Sequence, residues 1–433
     1  MSNNIAIIGL SWGDEGKGKF VDYLAQKADV VVRFNGGNNA GHTINANGIK
    51  YKFKLMPSGA PLEKECVIAN GCVIDPKVLL EEIENLKNLK KKINLKLSST
   101  AHVIFPFHRT LDGLEEETKG KYSAGTTKRG IGPTYSDKAA RWGLRVFDLV
   151  NPELMKPKLE MLFKIKKDLI NIYDPNWDVD LESIFEEYKS YGEQLKPYVI
   201  DTAWYLNQVI DSDKKVVFEA AQGSLLCIDH GFYPFGTSSN ANALGISAGT
   251  GIPPKKIGKV LGIIKAYTSR VGEGKFPTEL FNSTAEIIRE QGHEYGTVTG
   301  RPRRVGWLDL FNIKYGIMLN GIENVVITLL DALEGISPIK ICTGYELDGK
   351  NLDSWPIQHE IIEECKPVYK SFDGWDKRTR EEWLEIAEKG YDALPETMKI
   401  YINSIKEELN TKFFALSLGP DRKETILMDS EFF

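Results

Sequence analysis

The stretch IAIIGLSWGDEGKGKFVDYL, Ile5 to Leu24, reads as a strand, a glycine-rich turn and the start of a helix. Ile5–Ile8 is an uninterrupted apolar run, the pattern of a strand covered on both faces. The helix is expected to begin near Lys17. Within the turn, Gly13, Gly18 and Lys19 satisfy G-x-x-x-x-G-K. In that spacing the glycines let backbone N–H groups approach phosphate oxygens, and the helix N-terminus adds partial positive charge. Two features depart from a phosphate loop. Phe20 stands where a Ser or Thr hydroxyl would ligate Mg²⁺. Asp14 and Glu15 put carboxylates where phosphates should lie. Such a carboxylate makes chemical sense if it binds a metal or takes a proton from a co-substrate. The alternative is an ordinary Gly-rich strand–helix turn.

Outward from this stretch, Val30–Phe34 is β-like and leads into NGGNNAGHTI, Asn35 to Ile44. In a parallel sheet both loops emerge at the carboxyl edge, where ligands bind. His42 is then either a general acid near the same phosphates or a structural loop histidine. Cys66–Ile74 reads as a strand pair, Pro76–Leu89 as an amphipathic helix, and Lys87–Lys92 as a solvated basic face. Lys96–Phe105 is β-like, and Leu111–Lys119 is a charged helix. Gly125–Val146, dense in Gly, Thr, Lys and Arg, reads as a long loop whose Arg129 and Arg141 suit an anion. Pro152–Ser212 is helical and carries no recognisable chemistry.

Lys215–Glu219 returns to a buried strand. It runs into Ala220–Gly245, where Gln222, Thr237 and Asn240 are neutral groups suited to a purine edge or a ribose. Asp229 and His230 lack further metal ligands at short spacing. Lys259–Ala266 is a strand. TVTGRPRR clusters Arg301, Arg303 and Arg304, which must face anions or acidic side chains. A small dicarboxylate or a triphosphate fits; nucleic acid would want interleaved aromatics. Val325–Leu330 is a strand ending at Asp331, a carboxylate able to accept two N–H bonds from guanine, or to cap a turn. Phe413–Leu418 is the closing strand.

The chain has 433 residues, 42% of them hydrophobic, with a formal net charge of −5. It can bury a large core, and its charge argues against a nucleic-acid binder. Five cysteines without a C-x-x-C pair suggest reduced thiols and a cytoplasmic protein. No basic leader and no apolar run of membrane-spanning length is visible. The expected fold is α/β: a central, mostly parallel sheet with a P-loop-like nucleotide site and helical inserts. Residues 1–433 are expected to form a single domain, with a helical insert around 151–212.

Trp12–Lys19 (WGDEGKGK), Gly36–Thr43 (GGNNAGHT), Gly125–Pro133 (GTTKRGIGP), the block Ala220–Asn240 and Thr299–Asp309 (TGRPRRVGWLD) together resemble the adenylosuccinate synthetase family. The motifs follow the family's order over nearly the whole chain. The resemblance implies a ligase that makes adenylosuccinate from IMP and L-aspartate with GTP and Mg²⁺, the first committed step from IMP to AMP. It implies that Asp14 takes the N1 proton of IMP, so that O6 attacks the γ-phosphorus of GTP, and that His42 donates to the moving phosphoryl group. Lys17 would stabilise its charge, and Gln222 would assist. GTP would meet Gly13, Asp14, Glu15, Gly16, Lys17, Gly18, Lys19, Gly41, His42, Thr43, Arg303, Leu329, Leu330, Asp331, Ser417, Leu418 and Gly419. IMP would meet Asp14, Asn39, Ala40, Gly41, His42, Thr127, Gln222, Thr237 and Arg301. Arg141 would reach the IMP site of the neighbouring subunit, which implies a homodimer. L-aspartate would lie on Thr297, Val298, Thr299, Gly300, Arg301, Pro302 and Arg303. The metal would sit on Asp14 and the Gly41 carbonyl.

The chain departs from the family pattern at Leu329, where a lysine is frequent, and at Val298, where a Thr is common. Two other readings are a GTPase switch and a small-metabolite kinase. A switch needs a D-x-x-G element and the P-loop hydroxyl. The sequence contains no D-x-x-G, and Phe20 fills the hydroxyl position.

Overall fold

The apolar run at the N-terminus is the strand β1, Ile5–Gly9, near the middle of a ten-stranded sheet. The computed structural model describes residues 3–46, 49–296 and 300–429. The other sheet strands in chain order are β2 (Val30–Arg33), β3 (Glu65–Ile68), β4 (Leu95–Ser98), β5 (Val199–Ile200), β6 (Val216–Glu219), β7 (Lys259–Lys265), β8 (Asn324–Thr328), β9 (Lys412–Ser417) and β10 (Thr425–Leu427). Across the sheet they run β10-β9-β8-β7-β1-β6-β2-β3-β4-β5. Every neighbouring pair is parallel except β9 with β10.

Strand alternation explains why β1 is apolar throughout. Ile5 and Ile7 pack on one face with Phe20, Val21 and Leu24 of the helix α1, Lys17–Ala25. Ala6 and Ile8 pack on the other with Leu206, Val209 and Ile246. Full burial of Phe20 contributes about 2–3 kcal/mol. Gly16 caps α1 with φ at 80°, a left-handed conformation that glycine adopts without steric cost.

The helices at Pro152–Tyr173 and Leu181–Leu195 pack against Cys66, Ile68, Leu95 and Leu97 of β3 and β4. The stretch read as purely helical also supplies β5, the edge strand of the sheet. A second difference falls between Gly125 and Val146. The expected long loop contains a helix, Ile131–Ala140, started by Gly130 at φ 77° and ended by Arg141 at φ 65°. The Thr-, Gly- and Pro-rich sequence obscures it. All five cysteines are free and buried. Among the described residues no helix is long and apolar enough to cross a membrane.

Candidate active site

Loops leaving β1, β2, β6, β8 and β9 at the carboxyl edge wall a cavity of about 800 Å³. Gly13, Asp14, Gly16, Lys17, Gly18 and Lys19 line it from the first loop. Asn39, Ala40, Gly41, His42 and Thr43 line it from the second. Thr127, Gln222, Thr237, Arg303, Leu329, Asp331, Ser417 and Gly419 complete the set of expected residues in the wall. Three of these residues, Asp14 (φ 59°), Gln222 (φ 58°) and Leu329 (φ 59°), hold left-handed backbone conformations. Strain of that kind gathers at functional sites.

The first loop works differently from a simple phosphate cradle. Glu15 is buried, and its Oε1 accepts the amides of Gly13 (2.8 Å) and Ser11 (3.2 Å). Two N–H groups that a phosphate loop would offer outward are thus taken by the chain's own carboxylate. Glu15 Oε2 accepts from Lys17 Nζ at 2.6 Å. Glu15 therefore braces the loop and holds Lys17, a residue of the cavity wall. Lys19, the lysine of the G-x-x-x-x-G-K spacing, is tied to another part of the wall. Its Nζ donates to Ser417 Oγ (2.7 Å) and to the carbonyls of Gly419 (2.8 Å) and Glu424 (3.1 Å). Burial lowers its pKa to about 7, against the pull of Glu424 and Asp331. The loop is also tied to β8, where Thr328 Oγ1 donates to the Glu15 carbonyl at 2.8 Å.

His42 starts a hairpin, His42–Ala46 with Ile49–Phe53, that leans on α1. Its Nε2 lies 3.7 Å from Glu219 Oε1 and has no hydrogen-bond partner among the described residues. Burial lowers its pKa to about 4, with Glu219 opposing and Arg33 and Lys17 adding to the depression. The imidazole is neutral at pH 7. Glu219, at the end of β6 beside Arg33 of β2, is fixed by Ser58 through the amide (2.9 Å) and the hydroxyl (2.6 Å). Gln222 Nε2 donates to Asn39 Oδ1 at 3.1 Å, joining two loops of the wall.

Asp14 is partly open to the cavity, and Arg303 Nη2 lies 3.0 Å from its Oδ2. Asp331, just beyond β8, has a buried Oδ1 without a hydrogen-bond partner among the described residues. Burial raises its pKa to about 6. An unpartnered carboxylate oxygen at this position asks for a ligand N–H.

Some expected residues lie elsewhere. Leu330 and Leu418 have their side chains in the core, leaving only backbone for a ligand. Arg141 and Arg301 are exposed, as are Gly300 and Pro302. Thr297, Val298 and Thr299 fall outside the described residues. Asn240 is bonded to Asp229 and Cys227, a structural role. Among the described residues no group of three or more His, Cys, Asp or Glu side chains could hold a metal ion. Sequence reading missed Glu219 and Arg33; each ends a strand with a charge, which was the available signal.

An open parallel sheet with a glycine-rich strand–helix loop, a buried imidazole and a carboxylate oxygen awaiting a donor around one cavity is the architecture of a nucleotide-using enzyme. Residues 6–426 match the family described as adenylosuccinate synthetase. The chain belongs to that family. It is 48% identical over 428 residues to the adenylosuccinate synthetase of Thermoanaerobacter sp. (strain X514), covering 98% of this chain and 99% of that one. With the Brachyspira hyodysenteriae enzyme it shares 46% identity over 431 residues, covering 99% and 100%. The fully ligated adenylosuccinate synthetase of Plasmodium falciparum superposes with a TM-score of 0.92 at 40% identity, covering 99% of this chain and all of the other. The cyanophage S-2L succinoaminodeoxyadenylate synthetase shares the fold, with a TM-score of 0.62 at 18% identity over 99% and 96% of the chains.

Proposed function

We propose that this cavity carries out the family's ligation, with Asp14 as the base. The enzyme joins IMP and L-aspartate to form adenylosuccinate, with GTP converted to GDP and phosphate, in purine nucleotide biosynthesis. Asp14 takes the proton from purine N1, and the electron pair is delivered to O6. O6 attacks the γ-phosphorus, and GDP leaves. Lys17 and the N–H of neutral His42 stabilise charge on the transferring group. The 6-phosphoryl group makes C6 electrophilic; the aspartate amine attacks it, and phosphate departs with the C–O bond. Gln222 would hold the purine, with Asn39, Thr127 and Thr237. Asp331 would read guanine, with Leu329, Leu330 and Ser417 to Gly419 around the base. Arg303 and the loop before it would hold aspartate.

The family implies Mg²⁺. One carboxylate at Asp14 and one carbonyl at Gly41, both in the cavity wall, fit a hard cation that takes its remaining ligands from phosphates and water. Bound there, it would neutralise phosphate charge. We further propose a homodimer in which Arg141 serves the neighbouring IMP site. Its exposure, and that of Trp142 and Phe147 beside it, supports a covered face. A mass measurement finding only monomers at saturating IMP would contradict this. We read the chain as one domain of the cytoplasm, with the helices of residues 151–212 added onto the sheet.

The observation that carries the base assignment is the Asp14 carboxylate in the same cavity as His42 and Asp331. The test is spectrophotometric formation of adenylosuccinate from IMP, aspartate and GTP. Asp14→Asn should keep the fold and lower kcat by about 10²–10⁴-fold. Near wild-type turnover in that variant sinks the assignment. GTP hydrolysis without IMP or aspartate would point to a switch instead.

A further inference from the structure

Glu294 has no part in the reaction above, yet its side chain is only 1% exposed. Its oxygens are divided between two sets of donors. Oε1 accepts from Lys265 Nζ at 2.6 Å and from the Tyr267 hydroxyl. Oε2 accepts from Arg303 Nη1 at 2.8 Å. The Glu294 carbonyl also accepts the Arg303 amide at 2.8 Å. Glu294 and Arg303 are thus joined twice and close the neck of the loop between them. Lys265, the last residue of β7, roots that neck in the central sheet.

What matters is which donors Arg303 has left. A guanidinium offers its N–H groups as planar forks suited to carboxylates. With Nη1 held by Glu294, the remaining fork is Nε with Nη2. Nη2 lies 3.0 Å from Asp14 Oδ2, while Nε is buried with no hydrogen-bond partner among the described residues. A ligand carboxylate on this fork would satisfy Nε and replace Asp14 at Nη2. Arg304 is otherwise engaged, with Glu279 and the carbonyls of Gly272 and Gly274.

We propose that Glu294 is a positioning residue. By holding Nη1 it presents the Nε–Nη2 fork of Arg303 to the carboxylate of the amino-acid substrate, and seating that carboxylate frees Asp14 for the purine. The inference rests on the roles given above to Asp14 and Arg303. It makes the two substrates assist each other's binding, a coupling that must be reciprocal.

The test is calorimetric titration of IMP into the full chain with a non-hydrolysable GTP analogue, with and without L-aspartate. In the unaltered chain aspartate should tighten IMP binding by about fivefold or more. Glu294→Gln should bring that factor to near unity while IMP still binds. Glu294→Asp, which keeps the charge, should recover part of it. The double change Lys265→Met with Glu294→Gln avoids a lone buried ammonium and should behave like Glu294→Gln. Arg303→Lys, which keeps the charge but has no fork, should also lose the coupling. Absence of coupling in the unaltered chain, or its persistence in Glu294→Gln or Arg303→Lys, overturns the proposal. A chain that fails to bind IMP at all contradicts the assigned reaction rather than the role of Glu294.

Discussion

Lys19 Nζ lies 2.7 Å from Ser417 Oγ, although the two residues are 398 positions apart in the chain. Lys19 is thereby the clasp of the loop beyond β9, on the same cavity wall as Asp331. Lys19→Met leaves three acceptors without their cation and should raise the KM for GTP about 10–100-fold, with IMP affinity little changed. Steady-state kinetics with each substrate varied in turn reads the difference; an equal rise in the KM for IMP would count against the clasp. The lysine also has a pH signature. Its folded pKa, lowered to about 7, lies below the unfolded value of 10.5. The folded chain therefore binds fewer protons between these limits, and stability contributed at this site rises with pH from 7 to 10.5. Lys19→Met should flatten that rise in thermal melts.

Asp331 leads to a second pH dependence, of opposite sign. Burial raises its folded pKa from 3.8 to about 6. The folded chain holds an extra proton between those values, so the penalty for the buried charge is fully present above pH 6 and relieved as pH falls to 3.8. Guanine, which offers N–H donors, needs the charged form. The KM for GTP should therefore rise as pH drops below about 6. Asp331→Asn should remove that dependence, raise the melting temperature at pH 7 and erode discrimination against other purine triphosphates. Unchanged GTP preference in Asp331→Asn would refute its role as the base reader.

At His42 burial favours the neutral form, and the proposed reaction uses that form. Its folded pKa of about 4 lies below the ordinary 6.5. Stability at this site falls as pH drops from 6.5 toward 4, and the acid limb of kcat should show no inflection near 6.5 belonging to the imidazole. His42→Asn should lower kcat about 10²–10⁴-fold. Glu219→Gln should lower it less, since the imidazole remains but loses its oriented partner 3.7 Å away. A Glu219→Gln variant more impaired than His42→Asn would show that Glu219 acts through some group other than the ring.

How much of this was legible beforehand depends on what kind of information each feature needs. The central strands were readable because burial on both faces leaves continuous apolar runs such as Ile5–Ile8. The gathering of loops followed from parallel pairing, which puts every strand's carboxyl end on one edge. The helix Ile131–Ala140 was hidden because its glycine, proline and threonines favour other conformations and give little apolar periodicity. The direction of Lys19 was hidden for another reason. A spacing of glycines and a lysine fixes where the Cα stands, whereas its partners Ser417, Gly419 and Glu424 come from the far end of the chain. Glu219 and Glu294 look like ordinary acids in sequence, and Glu15 looks like a ligand group although it is bonded to its own loop. Only the register of β6 on β2, or the folding back of the first loop, makes them structural.

Leu329 is one of two positions where the family resemblance implies another residue, here a lysine, and its backbone sharpens the question. It lines the cavity beside Asp331 with φ at 59°, a conformation a branched side chain occupies at some cost. A lysine there would lay its stem along the guanine face and bring a cation to the ring, an interaction of about 0.5–1 kcal/mol at an exposed site. On the proposed reading, leucine would keep an apolar contact there and forfeit the charge. Leu329→Lys should therefore lower the KM for GTP about 2–5-fold at unchanged kcat, with a larger effect at low ionic strength. Leu329→Gly should instead relieve the backbone and expose the base, raising both the melting temperature and the KM for GTP. Thermal melts and GTP saturation curves on the two variants separate strain from stacking. If Leu329→Lys weakened GTP, the side chain at this position would have to face away from the base, and the apolar contact assigned to it would be wrong.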